Sequence, residues 1–307
     1  MKNKLLLLVT PLLLSSLMAC SGGNKTYELV ILDDAEQRTY IVGDDFNDEG
    51  LVVAFQCVED GSVKKANVEF EDNTNLELGQ ENIKVKATLG DEEYSLEYPI
   101  IVKEKYHIAC VGDSLTAGHY WANESYPTKL SGLISERYAV ENCGVNGISI
   151  TGYGGSWDDP SMQYIKQDVY QKSLDFKPDI FAIMLGTNDA TGWEKAEATF
   201  DEEYHELLDS YIELFPNAKF IMMVSPPCIS PNQFNIPNDK INDYVNPIQR
   251  ELAEEYEFEL LDLREEFEAE DNYESRFLRP NDGVHFTVEG AEFVAQRVWD
   301  IAKDFKF

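Results

Sequence analysis

Residues 179–185 read Asp-Ile-Phe-Ala-Ile-Met-Leu, and this continuous apolar run decides the fold. A strand of a parallel sheet is buried on both faces, so it is apolar along its whole length rather than at alternate positions. The run ends in Gly-Thr-Asn-Asp at 186–189, which combines turn residues with reactive polar side chains. We therefore interpret 179–185 as a central parallel strand whose carboxyl end carries functional groups.

The flanking sequence alternates between strand and helix patterns. An apolar run ends at Gly112, and a helix that begins at Ser125-x-Pro127 is predicted to extend to about Tyr138. Further elements follow by the same patterns: helices 200–215, 239–256 and 288–303, and strands 219–224 and 258–261. This alternation favours an α/β fold, a three-layer α/β/α domain with a parallel sheet, over residues 104–307.

The segment 27–103 has a different pattern. It contains short β-rich runs separated by turn residues, and no segment has the spacing of a helix. We predict a small N-terminal β-sandwich. The segment resembles the bacterial Ig-like repeats of surface proteins, which implies a spacer or a contact with glycan or cell wall.

The first residues have the features of a targeting segment. Residues 1–19 combine two lysines with an apolar core too short to span a bilayer, which needs roughly 20 apolar residues. The sequence Leu-Met-Ala-Cys that ends at Cys20 resembles the bacterial lipobox, and a polar tether follows at 20–26. We expect a lipoprotein signal peptide, lipidation of Cys20, and a protein that faces the extracytoplasmic side of the cell envelope. Membrane contact is then through the lipid anchor only.

Charge narrows the range of partners. The 307-residue chain has 25 Lys and Arg against 57 Asp and Glu, a formal net charge of −32. Such a surface repels phosphate backbones, so no nucleic acid partner is expected and polyanionic substrates are disfavoured. The five cysteines lack C-x-x-C spacing, and we expect neither a metal site nor a disulfide scaffold. The sequence gives no indication of the oligomeric state.

Reactive residues cluster where the predicted strands end. In open α/β sheets, ligands bind beyond the carboxyl ends of the strands. Four blocks lie near such ends: 112–115 (Gly-Asp-Ser-Leu), 142–147 (Asn-Cys-Gly-Val-Asn-Gly), 186–189 (Gly-Thr-Asn-Asp) and 282–285 (Asp-Gly-Val-His). Ser114 is a candidate nucleophile that needs a base, and His285 can serve as that base. Asp282, three residues earlier, can bind one ring nitrogen while the other faces Ser114.

Acyl transfer also needs hydrogen-bond donors for the oxyanion of the tetrahedral intermediate. The candidates are the backbone amides of Ser114 and Gly147 and the side chain of Asn188. Gly144 could also supply the second amide. The remaining histidines are interpreted as structural: His107, His119 and His205.

Together the four blocks resemble the SGNH superfamily, also called GDSL esterases and lipases. Its Ser, Gly, Asn and His fall on Ser114, Gly147, Asn188 and His285, and its Asp falls on Asp282. Gly147 is preferred over Gly144 because the second glycine of the block aligns better. The resemblance implies a flavodoxin-like sheet and a serine esterase that needs no metal and no other cofactor. The hydrolase elbow G-x-S-x-G does not occur in the chain.

The leading functional hypothesis is a cell-surface esterase that hydrolyses carboxylic esters of small molecules or polysaccharides and deacetylates carbohydrate. Three loop tryptophans, Trp121, Trp157 and Trp193, either pack internally or line a sugar-binding cleft. Two alternatives remain: a lipid esterase or lysophospholipase, and a glycan-binding adhesive lipoprotein with a disused catalytic domain. The sequence has no Lys-rich amphipathic helix of the kind that lies on a bilayer, which disfavours the first alternative.

Overall fold

The structure is a computed structural model that describes residues 18–19, 25–119, 121–155 and 157–307. The predicted lipidation site Cys20, and the predicted signal peptide apart from the backbone of Met18–Ala19, lie outside the described residues. The chain forms two compact units. One comprises the residues up to Glu104 together with Lys306–Phe307, and the other comprises Lys105–Phe305.

The first unit consists of short strands. They are β1 (Met18–Ala19), β2 (Thr26–Asp33), β3 (Thr39–Ile41), β4 (Val52–Cys57), β5 (Val63–Lys65), β6 (Val68–Glu71), β7 (Asn82–Leu89), β8 (Glu92–Pro99) and β9 (Ile101–Lys103). Two antiparallel sheets, with strand orders β1-β2-β4-β5 and β6-β7-β8, accompany a parallel pair β3-β9.

Alternation along the strands produces the core of this unit. On β7, the residues Ile83, Val85 and Ala87 are buried while their neighbours are not, because successive side chains point to opposite faces. They belong to one hydrophobic cluster with Phe55 of β4 and Tyr98 of β8. The predicted N-terminal region of antiparallel strands is confirmed, and its likeness to Ig-like repeats stays a prediction.

The second unit is built on a parallel sheet. Its strands are β10 (Tyr106–Gly112), β11 (Tyr138–Gly144), β14 (Ile180–Met184), β15 (Lys219–Val224) and β16 (Glu259–Asp262), and a small hairpin contains β12 (Tyr153–Gly154) and β13 (Trp157–Asp158). Its helices are α1 (Ser114–Ala117), α2 (Tyr126–Leu133), α3 (Asp168–Asp175), α4 (Trp193–Ala196), α5 (Phe200–Leu214), α6 (Asn238–Lys240), α7 (Asn246–Glu255), α8 (Leu263–Glu268), α9 (Tyr273–Phe277) and α10 (Val288–Ala302). Short 3₁₀ turns occupy Ala122–Glu124, Pro160–Met162, Tyr164–Lys166 and Asp189–Gly192.

The order of the parallel strands is β11-β10-β14-β15-β16, which is the flavodoxin-like order 2-1-3-4-5. All five residues of β14 are buried, as expected for a strand covered by helices on both faces. The predicted three-layer α/β/α fold is therefore confirmed. Strand order reverses between β10 and β14, and ligands of such folds bind at this reversal.

The register brings the strand ends level. Gly112, at the end of β10, lies opposite Gly144 of β11 and Met184 of β14. The residues that follow these three strands therefore meet above the sheet. This places the blocks around Ser114 and Asn188 at the reversal of strand order.

Two helix boundaries differ from the sequence-based expectation. The helix expected to reach Tyr138 ends at Leu133, because Tyr138 pairs with Tyr106 of β10 as the first residue of β11. The helix expected over 239–256 is interrupted by a π-helical turn at Ile241–Val245. Pro247, which follows this turn, has no amide hydrogen to donate to an ordinary helical turn, and a wider turn accommodates it.

No helix within the described ranges is long and apolar enough to cross a membrane.

Candidate active site

The candidate nucleophile is positioned by a sharp turn from strand to helix. Ser114 is the first residue of α1 and directly follows β10 through Asp113, whose Oδ1 accepts a hydrogen bond from the Leu115 amide at 2.9 Å. The turn requires glycine before it: a Cβ on Gly112 would lie 2.0 Å from Thr116 Oγ1 and 2.7 Å from the Met184 carbonyl. Ser114 is therefore held just beyond the carboxyl end of β10, with 9% of its surface exposed.

The candidate base reaches Ser114 from the loop before α10. The His285 Nε2 atom lies 2.8 Å from Ser114 Oγ, and His285 Nδ1 lies 3.2 Å from Asp282 Oδ2. With the proton on Nδ1, the imidazole donates to the carboxylate, and Nε2 accepts from the serine hydroxyl. The structure thus brings together the nucleophile, base and orienting acid expected from the sequence.

The carboxylate of Asp282 orients both the ring and the backbone. Its Oδ1 accepts hydrogen bonds from the Val284 and His285 amides, both at 2.9 Å. Burial raises the pKa of Asp282, but the hydrogen bonds from the His285 side chain and from the two amides outweigh that effect, so its pKa is below the usual value. Asp282 consequently stays ionised at neutral pH and stabilises an imidazolium on His285.

Two backbone amides are candidate oxyanion donors. Across the described ranges, neither the Ser114 amide nor the Gly147 amide is hydrogen-bonded to an acceptor. The Gly144 amide, in contrast, donates to Asn142 Oδ1 at 3.0 Å, and a Cβ on Gly144 would lie 2.3 Å from the Ala117 nitrogen. Gly144 therefore serves close packing on α1, and the geometry favours Gly147 as the second amide.

The side chain of Asn188, the third candidate oxyanion donor, already makes hydrogen bonds within the protein. Its Nδ2 donates to the Ile148 carbonyl at 2.8 Å and lies 3.3 Å from Asp113 Oδ2. The longer contact is the weaker one, so a developing oxyanion can compete for that hydrogen while the bond to Ile148 holds the amide in place.

Two buried carboxylates, for which no role was predicted from the sequence, support these donors. Asp189 accepts from the Ile150 amide at 3.0 Å and from the Thr151 amide and hydroxyl at 3.0 and 2.8 Å, which fixes the loop that contains Ile148. Burial raises the pKa of Asp113 and Asp189 to about 7 each, against hydrogen bonds that lower it. Their positions inside the Gly-Asp-Ser and Asn-Asp blocks were the only signal in the sequence.

Arg279 is a further residue near the candidate site for which the sequence predicted no role. It is buried, and its Nε donates to the Phe286 carbonyl at 2.9 Å while a terminal nitrogen lies 4.0 Å from Asp282 Oδ2. Another terminal nitrogen donates to the Gly118 carbonyl at 3.4 Å. Arg279 therefore connects the C-terminal end of the nucleophile's helix to the loop that bears the base.

The three remaining histidines, all interpreted as structural, have different environments. His107 binds the Phe176 carbonyl, and His205 lies near Glu255. His119, however, stacks on His285, with ring centroids 4.0 Å apart and planes at 6°. The structural interpretation of His119 from the sequence was therefore incomplete, because it did not foresee this contact with the candidate base.

The three loop tryptophans differ in their exposure to solvent. Trp121 and Trp157 expose 53% and 43% of their surface, whereas Trp193 exposes 3% and packs on Phe200 and Tyr244. Trp193 is a core residue. The hairpin that carries Trp157 lies against Asn188, since the Gly155 amide donates to the Asn188 carbonyl at 3.1 Å.

A serine, a histidine and an aspartate hydrogen-bonded in series at the strand reversal of an α/β sheet are the arrangement expected of an acyl-transfer hydrolase. Residues 110–293 match the GDSL-like Lipase/Acylhydrolase family, and the chain belongs to that family. Family membership places residues 110–293 in the lipase and acylhydrolase class of hydrolases.

Individual proteins are similar to parts of this chain. An acetylxylan esterase of Xylanibacter ruminicola is 27% identical over 191 residues, which cover 54% of this chain and 37% of that relative. A carbohydrate acetylesterase structure from Sinorhizobium meliloti has a TM-score of 0.51 at 16% identity, covering 66% of this chain and 100% of its own. A lipase/acylhydrolase structure from Enterococcus faecalis has a TM-score of 0.49 at 22% identity, covering 64% and 95%. At 16% identity the Sinorhizobium meliloti structure shows a shared fold.

Proposed function

We propose that this protein is a cell-surface serine esterase that removes small acyl groups, above all acetyl, from carbohydrate. The observation that carries the proposal is the hydrogen-bonded chain from Ser114 Oγ through His285 to Asp282. The similarity to an acetylxylan esterase supports the choice of carbohydrate.

The geometry supports a two-step mechanism. His285 Nε2 takes the proton of Ser114 as Oγ attacks the ester carbonyl, and the carbonyl electron pair becomes an oxyanion. The amides of Ser114 and Gly147 and the Asn188 side chain stabilise that oxyanion. Collapse breaks the bond to the ester oxygen of the sugar, which takes the proton from His285 and departs as the alcohol, while the acyl group stays on Ser114. A water molecule, activated by His285, then releases the acid by the same steps.

The space directly beside the nucleophile is small. A cavity of about 10 Å³ is lined by Ser114, Gly118, Arg279, His285 and Phe286, among others. A volume of this size holds roughly one water molecule. The cavity therefore does not discriminate between short and long acyl groups, and the acyl-chain profile described below decides between the carbohydrate esterase and the lipid esterase.

Two exposed tryptophans support a carbohydrate as the alcohol part of the ester. One face of Trp121 rests on the Arg279 guanidinium, whose carbon lies 4.3 Å from the ring centroid, and about half of the side chain remains exposed. Trp157 belongs to the hairpin beside Asn188. Exposed aromatic rings at a site are candidate contacts for a ligand that is apolar on one face and hydroxylated at its edges.

The location of the enzyme is part of the proposal and rests on the sequence alone. Cleavage before Cys20 and lipidation of its thiol would hold the protein on the extracytoplasmic face of the membrane, with the N-terminal unit as a spacer. An enzyme in that location meets polysaccharides from outside the cell.

The acyl-chain profile tests the proposed function. Purified protein is expected to hydrolyse p-nitrophenyl acetate with a higher kcat/KM than p-nitrophenyl esters of long chains, and to release acetate from acetylated xylan. The Ser114→Ala protein, prepared identically, measures any contaminating esterase. A preference for long chains would identify a lipid esterase instead. Failure to turn over any ester would favour the glycan-binding lipoprotein.

Asn188→Ala tests the oxyanion assignment. We expect kcat for p-nitrophenyl acetate to fall roughly 10²- to 10³-fold, because one of three donors is lost and two amides remain. KM should change little, since the donor acts on charge that develops in the transition state. Steady-state kinetics on the folded variant measures both constants. An unchanged kcat, or a loss confined to KM, would remove Asn188 from the oxyanion hole.

A further inference from the structure

The chain turns back over the active site directly after the nucleophile's helix. Helix α1 is followed by Gly118, whose φ of +82° is left-handed, and then by His119 with a φ of +51°. The His119 amide donates to the Ser114 carbonyl at 3.1 Å. A left-handed backbone is uncommon for a residue other than glycine, and the contacts described below accompany it at His119. The result is that the His119 ring lies over the site rather than in solvent.

The ring of His119 lies flat on the ring of His285. Their centroids are 4.0 Å apart and the planes differ by 6°. Phe234 stands perpendicular to both rings, with centroids 5.6 Å from His119 and 5.0 Å from His285. The orientation of His285 is therefore restricted by two aromatic neighbours in addition to Asp282 and Ser114.

A second stacked pair holds the same segment. Trp121, two residues after His119, lies on the guanidinium of Arg279, which binds the Phe286 carbonyl and faces Asp282. Both pairs join the segment after α1 to the loop that bears the base. A rotation of the His285 ring would disturb at least one of these two stacked pairs.

The charge state of His119 decides what its ring can do. Burial, followed by the nearby His285 and Arg279, lowers the pKa of His119 to about 4, and Asp282 acts in the opposite direction. The ring is neutral at neutral pH and presents a π face to His285. A neutral aromatic face attracts a cation, and His285 becomes a cation when it takes the proton of Ser114.

We propose that His119 is a positioning residue for ester hydrolysis, which holds the plane of His285 and stabilises the imidazolium formed as Ser114 attacks. The inference rests on the proposed roles of Ser114 and His285. The imidazolium is absent when substrate first binds, so the contact strengthens in the transition state. Its loss should therefore lower kcat and leave KM unchanged.

Three substitutions separate the ring from the backbone. His119→Asn accepts the left-handed backbone but has no aromatic ring. His119→Leu and His119→Phe carry similar strain at this position and differ in the aromatic face. His205→Leu, which changes a histidine outside the site, is the control.

We expect His119→Asn and His119→Leu to lower kcat for p-nitrophenyl acetate roughly 10-fold at constant KM, and His119→Phe to recover most of the loss. His205→Leu should match the wild type. Circular dichroism verifies that each variant is folded. If His119→Leu and His119→Phe do not fold, the kcat of His119→Asn alone tests the role of the His119 ring.

An unchanged kcat in His119→Asn, or equal kcat values in folded His119→Leu and His119→Phe, would overturn the role of His119 while leaving the esterase intact. Failure of the wild type itself to hydrolyse p-nitrophenyl acetate would overturn both this role and the proposed function. The two failures are thereby distinguished.

Discussion

Ser114→Ala is expected to lower kcat for p-nitrophenyl acetate by roughly 10⁴- to 10⁶-fold, as removal of the nucleophile does in other triads. The substitution removes the oxygen that lies 2.8 Å from His285 Nε2 and with it the covalent route. Fold and substrate binding should persist, because the backbone amide and the N-terminal cap by Asp113 do not involve the side chain. Steady-state kinetics with the purified variant measures the loss.

A matched control for this variant is Ser161→Ala, which removes an exposed hydroxyl from the same unit. Its kinetics should equal those of the wild type. If a folded Ser114→Ala protein kept substantial activity, a water molecule rather than this serine would be the attacking group.

His285→Ala should cost nearly as much as Ser114→Ala, since the serine is then left without a base. The double variant Ser114→Ala, His285→Ala should be little worse than either single variant, because the two side chains act as one unit. The three proteins form a double-mutant cycle that is measured with the same ester under one set of conditions.

Additive losses in that cycle would contradict the proposal, since independent contributions imply that His285 serves some step other than activation of Ser114. Recovery of His285→Ala by added imidazole would further support a role as the base, because a small base could occupy the vacated space.

Much of the fold could be predicted because local pattern and global fold agree. The apolar run at 179–185 indicated a strand buried on both faces, and the structure confirms it as the central strand β14, which spans Ile180–Met184. Boundaries were less predictable where tertiary contacts compete with helix pattern. Pairing of Tyr138 with Tyr106 ends the preceding helix early, and no feature within the helix itself indicates that.

The residues of the candidate site likewise fall into those that the sequence predicted and those that it did not. Ser114, Asn188 and His285 were found because each lies in a short block beside a predicted strand end or helix start. His119 and Arg279 were missed because their contacts depend on backbone direction after α1 and on packing between distant segments. The left-handed φ values of Gly118 and His119, which return the chain over His285, cannot be derived from hydrophobic periodicity.

In the proposed mechanism, acyl transfer passes through Ser114 Oγ. Reaction with a p-nitrophenyl phosphonate ester, followed by mass spectrometry of the intact protein and of its peptides, tests this most directly. We expect one adduct per chain, on the peptide that contains Ser114, with loss of activity in proportion to labelling and greatly slowed labelling in His285→Ala. An adduct on another residue, or full esterase activity in completely labelled protein, would contradict it.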